Sequence, residues 1–117
     1  MSENKVTQVP KSEYENYQKG KVEYSTIMQK ISDMEMSISE NKDVLETLEG
    51  MDESRKCYRV VDSILVERNV GEVKKALQVE KENMMVLMGQ LNTRSRELEK
   101  AILAFETKYG ITKAVAV

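Results

Sequence analysis

Two long blocks of the sequence carry apolar residues in an unbroken seven-residue repeat. The first block holds two such series, which are Tyr17, Tyr24, Ile31, Ile38 and Leu45, and Gly20, Ile27, Met34, Asn41 and Leu48. The second holds Leu77, Met84, Leu91, Leu98 and Phe105, and Lys81, Met88, Ser95, Ile102 and Tyr109. Eight of the ten positions are apolar in each block. A stripe this narrow is typical of a coiled-coil seam rather than of a helix packed on several neighbours.

Helix-capping residues set the expected bounds of the two helices. Ser12 and Glu15 form a capping-box pattern after Pro10, and Gly50 can close the helix, which predicts a helix over 12–49. Asn69 with Glu72, and Gly110 at the other end, predict a second helix over 70–109. Antiparallel pairing of the two helices covers both stripes, and the sequence leaves the register of that pairing open.

Polar residues interrupt the apolar seam at three heptad positions. They are Asn41, Lys81 and Ser95. Such residues specify the register of a coiled coil at some loss of stability, and a role in flexing the helix pair is the alternative.

The segment between the helices, residues 55–68, is rich in β-branched residues and predicts a β-hairpin turning at Asp62-Ser63. This register places Tyr58, Val60, Leu65 and Glu67 on one face and Arg59, Val61, Ile64 and Val66 on the other. Since a lone two-stranded hairpin is marginal in water, we expect it to join a sheet made with other chains. A hairpin folded back onto its own helix ends is the alternative. The expected oligomer interface comprises Tyr58, Val60, Val61, Ile64, Leu65 and Val66.

Composition argues against most enzymes and against nucleic-acid or membrane partners. The chain has no histidine, a single cysteine and a net charge of −2. It therefore lacks the imidazole base of most nucleophilic sites, any intramolecular disulfide and a general positive field. Phosphate-binding glycine loops are also missing from the sequence. We expect no enzyme activity, no cofactor and no metal, and an intracellular, soluble protein. Cys57 is expected to be a small interior residue.

The hairpin segment closely resembles the β-type subunits of the eukaryotic prefoldin family. The resemblance rests on RKCYRVVDSILVERNVGEV at residues 55–73 and extends over nearly the whole chain, including Lys81-Glu-Asn-Met84 and the ending from Glu97 to Ile111. It implies a mainly α fold, an antiparallel two-helix coiled coil with one β-hairpin, as a single domain over 1–117 with flexible termini. The chain departs from the family at the turn, where Asp62-Ser63 replaces the usual Gly-Gly.

The resemblance also implies a function. Prefoldins are hexamers of two α-type and four β-type subunits whose hairpins form a β-barrel platform with six projecting arms. They are ATP-independent cytoplasmic holdases that capture unfolded chains, notably nascent actin and tubulin, and deliver them to the cytosolic group II chaperonin. The expected partners are the other subunits, clients and this chaperonin. The alternative function is that of a structural coiled-coil subunit in a prefoldin-like assembly or a tethering complex with fixed partners.

The two chain ends are expected to meet at the far end of the coiled coil and to leave apolar groups exposed there. The candidate client-binding residues are Val6, Val9, Tyr14, Tyr17, Phe105, Tyr109, Ile111, Val115 and Val117. An exposed apolar patch captures unfolded chains by non-directional burial. The alternatives are that the aromatic rings mainly close the end of the coiled coil and that the terminal valines belong to a tail without function.

Overall fold

A computed structural model describes residues 8–111. Helix α1 spans Lys11–Leu48, strands β1 and β2 span Lys56–Val61 and Ile64–Asn69, and helix α2 spans Val70–Tyr109. The two strands form an antiparallel hairpin between the helices. The expected fold class, an antiparallel two-helix coiled coil with one hairpin, is therefore confirmed.

The heptad positions are the positions that the fold buries. All twenty residues of the four series are buried or half-buried, whereas most other helix residues are exposed. Six of them are buried, namely Tyr17, Ile27, Ile31, Leu77, Ser95 and Leu98. The seam predicted from the seven-residue repeat is thus the core of the protein.

The chain divides into two compact units. The terminal unit contains residues up to 31 and from 90 onward, and the hairpin unit contains Ser32–Gly89. In the terminal unit the helix segments run antiparallel, because Arg94 pairs with Glu23 while Tyr17, earlier in the chain, contacts Phe105. These contacts fix the register of the terminal unit, which the sequence leaves open.

The start of α1 differs from the expectation. The helix begins at Lys11, and the N–H of Tyr14 donates to the carbonyl of Pro10 at 3.0 Å. Ser12 therefore lies inside the first turn, where its hydroxyl is no longer at the capping position. The predicted Ser12–Glu15 capping box was wrong, and Glu15 instead pairs with Lys11 at 3.9 Å.

The start of α2 and the ends of both helices follow the expectation. Asn69 Oδ1 accepts the backbone N–H of Glu72 at 2.8 Å, and its amide donates to the Glu72 carboxylate at 2.9 Å. Gly50 and Gly110 have φ angles of 83° and 64°, the left-handed conformation that ends helices. At Gly110 the next residue completes a Schellman motif, since Ile111 N–H donates to the carbonyl of Glu106 at 2.8 Å.

The polar seam residues Ser95 and Asn41 differ in whether their side chains are hydrogen-bonded. The Ser95 hydroxyl donates to the carbonyl of Asn92, one turn earlier, at 2.8 Å. The Nδ2 atom of Asn41 is buried and has no hydrogen-bond partner among the described residues. Asn41 is therefore a point of local instability in the seam.

Within residues 8–111, neither helix has a segment long and apolar enough to cross a membrane.

Candidate assembly hairpin and terminal aromatic cluster

The hairpin turns through Asp62 and Ser63, and both have positive φ angles, 49° and 66°. Two consecutive left-handed residues define a type I′ turn, whose twist matches that of the flanking strands. Glycine adopts this conformation freely because it has no Cβ, and asparagine and aspartate tolerate it through local hydrogen bonds of their side chains, whereas serine tolerates it less well. The turn geometry therefore stores strain at Ser63.

The strands pair in the register that the sequence predicts, with Val60 opposite Leu65 and Arg59 opposite Val66. One face of the hairpin, which we call the bare face, carries Tyr58, Val60 and Leu65. These side chains are 59%, 73% and 64% exposed. An ion pair between Lys56 and Glu67, at 3.2 Å, lies on the same face nearer the helices. Three large apolar groups are therefore presented side by side to the solvent.

The opposite face, which we call the covered face, is partly occupied by the chain itself. Arg59 reaches Glu80 of α2 at 3.8 Å, and Cys57, Arg59 and Val66 are half-buried. Val61 and Ile64, next to the turn, remain exposed. The two faces of the hairpin thus differ, and only the part of the covered face nearest the helices contacts its own helix.

A buried junction holds the hairpin on the helix ends. The N–H groups of Val70 and Gly71 donate to the carbonyls of Arg55 and Glu53 at 2.9 and 3.0 Å. Val70, with 1% exposure, is the most buried side chain described, and Val73 and Leu77 follow it into the core. The hairpin is therefore anchored at its base, while its strand edges have no further strand partner among the described residues.

Four aromatic residues form a cluster in the terminal unit, comprising Tyr14, Tyr17, Phe105 and Tyr109. The Tyr17 and Phe105 rings are stacked, with centroids 4.3 Å apart and planes 15° apart. Tyr109 is tilted against Phe105 at 4.8 Å, and Tyr14 lies 6.4 Å from Tyr17. This terminal aromatic cluster joins α1 to α2 by ring packing.

Carboxylates hold two of these tyrosines. The Tyr17 hydroxyl donates to Glu106 Oε2 at 2.7 Å, and the Tyr109 hydroxyl donates to Glu13 Oε2. The Glu106 hydrogen bond, together with burial, raises the pKa of Tyr17 to about 12. The Glu13 hydrogen bond likewise raises the pKa of Tyr109, and it lowers the pKa of Glu13. The hydroxyl groups are therefore held in the protonated, donating form.

The candidate client-binding residues differ in exposure. Tyr17 is buried at 8% exposure, whereas Tyr14 is 47% exposed. The remaining described candidates are all half-buried, namely Val9, Phe105, Tyr109 and Ile111. Val6, Val115 and Val117 lie outside the described residues. Tyr14 is thus the candidate that leaves most aromatic surface to the solvent.

Sequence reasoning missed the ionic contacts that connect the helices of the terminal unit. Arg94 donates to both carboxylate oxygens of Glu23, at 2.7 and 3.0 Å. Lys108 lies 3.5 Å from Glu13. Glu23, Arg94 and Lys108 are each next to a heptad position, where charged pairs commonly connect the helices of a coiled coil, and Glu13 lies seven residues before Gly20 on the series itself. The flanking positions were the available signal, but partners could be chosen only once the register was known.

No group of three or more cysteine, aspartate and glutamate side chains among residues 8–111 is arranged to bind a metal ion. The bare face of the hairpin and the terminal aromatic cluster with its surroundings are the two candidate functional surfaces among the described residues.

Comparisons with known proteins agree on one family. The sequence model of the prefoldin subunit family matches residues 11–112. The chain is 35% identical over 95 residues to prefoldin subunit 2 of Arabidopsis thaliana, covering 81% of this chain and 64% of that protein. It is 34% identical over 99 residues to the probable prefoldin subunit 2 of Schizosaccharomyces pombe, covering 85% and 84%.

A mammalian relative extends the comparison. The chain is 38% identical over 82 residues to prefoldin subunit 2 of Rattus norvegicus, covering 70% of this chain and 53% of that protein. The matched segment thus spans just over half of the rat protein and under two thirds of the Arabidopsis protein. With a family match over nearly all the described residues, the chain belongs to the prefoldin subunit family.

Proposed function

We propose that this chain is a β-type subunit of a hexameric prefoldin co-chaperone in the cytoplasm. In this role it captures unfolded or nascent proteins, of the actin and tubulin type, without ATP and delivers them to the cytosolic group II chaperonin. Its partners are two α-type and further β-type subunits, the client chains and the chaperonin. Membership of the prefoldin subunit family and the form of the hairpin support the proposal.

The observation that carries the proposal is the bare face of the hairpin. Full burial of a valine or leucine side chain contributes about 1.5–3 kcal/mol. Val60 and Leu65 are 73% and 64% exposed, so each has roughly 1–2 kcal/mol still to gain from burial. The strand edges add unpaired backbone groups that a neighbouring strand would satisfy. Neighbouring hairpins of other subunits provide both kinds of contact at once.

Each hairpin residue of the proposed interface has a distinct part in this arrangement. Tyr58, Val60 and Leu65 supply the central apolar surface on the bare face. Val61 and Ile64 extend the surface at the turn, where they are 46% and 65% exposed. The sixth proposed residue, half-buried Val66, lies opposite Arg59 on the covered face and supplies apolar surface there.

The terminal unit is the proposed client-binding end. Tyr14 offers exposed aromatic surface, and half-buried Val9 and Ile111 offer further apolar contacts beside it. Apolar burial requires no particular sequence in the client, which suits a holdase. Phe105, Tyr109 and buried Tyr17 contribute by shaping this end rather than by presenting their full surface. Val6, Val115 and Val117 complete the proposed set.

Mixing experiments test the assembly. The chain is combined with α-type and other β-type prefoldin subunits, and mass is measured by size-exclusion chromatography with light scattering. We expect a hexamer with the parent chain and none with V60D/L65D, because buried charge in a shared sheet costs several kcal/mol. V22D/V86D is the matched control, since these helix valines are 66% and 64% exposed. Assembly of V60D/L65D at the parent concentration range would show that the hairpin is not the interface.

The holdase activity is tested on the assembled hexamer. Suppression of the aggregation of unfolded actin in the absence of nucleotide supports the proposal. A hexamer that assembles but leaves aggregation unchanged would point instead to an assembly with fixed partners. Removal of residues 1–9 and 111–117 should preserve assembly and weaken suppression, and undiminished suppression would move the client-binding surface elsewhere.

A further inference from the structure

A groove runs along the terminal unit beside the aromatic cluster. Tyr14, Tyr24 and Leu103 form its walls, and Glu99, Glu106 and Lys21 lie along it. We call this the tyrosine groove. Tyr14 and Leu103 are 47% and 45% exposed, and Tyr24 is half-buried. The groove therefore combines an accessible apolar surface with charged groups at close range.

The charges of the tyrosine groove are unbalanced. Two carboxylates, of Glu99 and Glu106, face one ammonium group, that of Lys21. Glu106 uses Oε2 to accept the Tyr17 hydroxyl, and a carboxylate has lone pairs for further donors. Among the described residues Glu99 has no ion-pair partner. The groove thus has acceptor capacity that its own lysine does not fill.

An ammonium group of the chain already shows how a cation is accommodated. Lys21 Nζ lies 5.1 Å from the centroid of the Tyr17 ring, within the range of cation–π attraction. The carboxylate of Glu106 is bonded to the hydroxyl of the same ring. The flexible side chain of Lys21 can move away from the Tyr17 ring and leave room for a client cation. A guanidinium group is planar, so it can stack on that ring and donate hydrogen bonds to the Glu106 carboxylate at the same time.

We propose that the tyrosine groove binds an arginine or lysine side chain that is adjacent to an apolar residue in an unfolded polypeptide. The proposal rests on the proposed holdase function and specifies the kind of client segment that this subunit prefers. The cationic group lies between the tyrosine rings and the carboxylates. The neighbouring apolar side chain packs on Tyr14 and Leu103. The two contacts together favour client segments in which a basic residue is next to an apolar residue.

Photo-crosslinking to the assembled hexamer tests this preference. Two unstructured peptides are compared, identical except that one has Leu-Arg-Leu and the other Leu-citrulline-Leu beside a benzophenone residue. Citrulline keeps the shape of arginine and removes its charge. Crosslinking to this subunit is measured against peptide concentration, without nucleotide, after the subunits are separated on a gel. We expect the arginine peptide to bind about three- to thirtyfold more tightly.

Three variants locate the preference in the groove. E99Q and E99Q/E106Q should each reduce the ratio between the two peptides, the double variant to about one- to twofold. K21Q should raise the affinity for the arginine peptide by about two- to threefold, since it removes the competing cation. E97Q is the matched control, because Glu97 lies on the same helix but pairs with Arg94. We expect E97Q to keep the parent ratio.

The outcomes separate this proposal from the proposed function. Equal affinity for the two peptides, or an arginine preference that survives E99Q/E106Q, would overturn the groove assignment and leave the holdase function intact. Loss of the preference in E97Q as well would show a general charge effect and would also overturn it. Crosslinking of neither peptide by an assembled hexamer would count against the holdase function itself.

Discussion

Replacement of Ser63 by glycine should stabilise the hairpin. Ser63 has a φ angle of 66°, in the left-handed region where a Cβ costs roughly 1–2 kcal/mol. Glycine removes this cost but gives the unfolded chain more freedom, which offsets about 0.5–1 kcal/mol. The net expected stabilisation is on the order of 0.5–1 kcal/mol. Opening of the hairpin should become about two- to fivefold rarer.

Amide hydrogen exchange of β1 and β2 measures this local opening directly. Exchange in S63G should slow by the same factor of about two to five, while exchange in the core of α2 should not change. S63A is the matched control, because alanine keeps the Cβ and hence the strain. Equal slowing in S63A and S63G, or no slowing in S63G, would refute the assignment of strain to this residue.

Three further predictions concern the helices. The pKa of Tyr17, raised to about 12 by the Glu106 hydrogen bond and burial, means that the folded chain holds this proton more tightly than the unfolded chain. The stabilising contribution of this hydrogen bond should be complete below pH 10 and lost as the pH rises through 12. Between these pH values the urea midpoint should therefore fall more steeply in the parent than in Y17F, and an equal dependence of the two midpoints on pH would contradict this. G89A should stabilise α2 by up to about 1 kcal/mol, because a Cβ at Gly89 meets open space, and an unchanged urea midpoint would argue otherwise. N41L should raise the free energy of unfolding by about 1 kcal/mol, and with it the urea midpoint, because it removes the unpartnered amide of Asn41. N16L, at an exposed position, should leave the midpoint unchanged, and equal effects of the two variants would count against the reasoning.

The fold was largely predictable because its determinants are local or periodic. The seven-residue repeats located every buried heptad position, and Asn69 with Glu72 and the left-handed Gly50 and Gly110 marked helix ends. The hairpin register followed from the two-residue turn at 62–63. The failure at Ser12 has a local cause as well, since the helix starts one residue after Pro10 and leaves the serine inside the first turn.

The candidate surfaces were less predictable because they depend on contacts between distant residues. The sequence placed apolar groups on both faces of the hairpin, but the contact of Arg59 with Glu80 decides which face is partly covered. The aromatic residues of the terminal unit were singled out, yet the carboxylate of Glu106 that holds Tyr17 could be identified only from the helix register. Burial of Tyr17 follows from the same register.

The difference between the two hairpin faces gives each subunit a polarity. Hairpins that share a sheet edge to edge would all turn the bare face to the same side of that sheet, because α2 lies against the covered face at Glu80. The two sides of such a sheet would differ chemically, because one carries the ion pair of Arg59 with Glu80 and the other carries the exposed Val60 and Leu65.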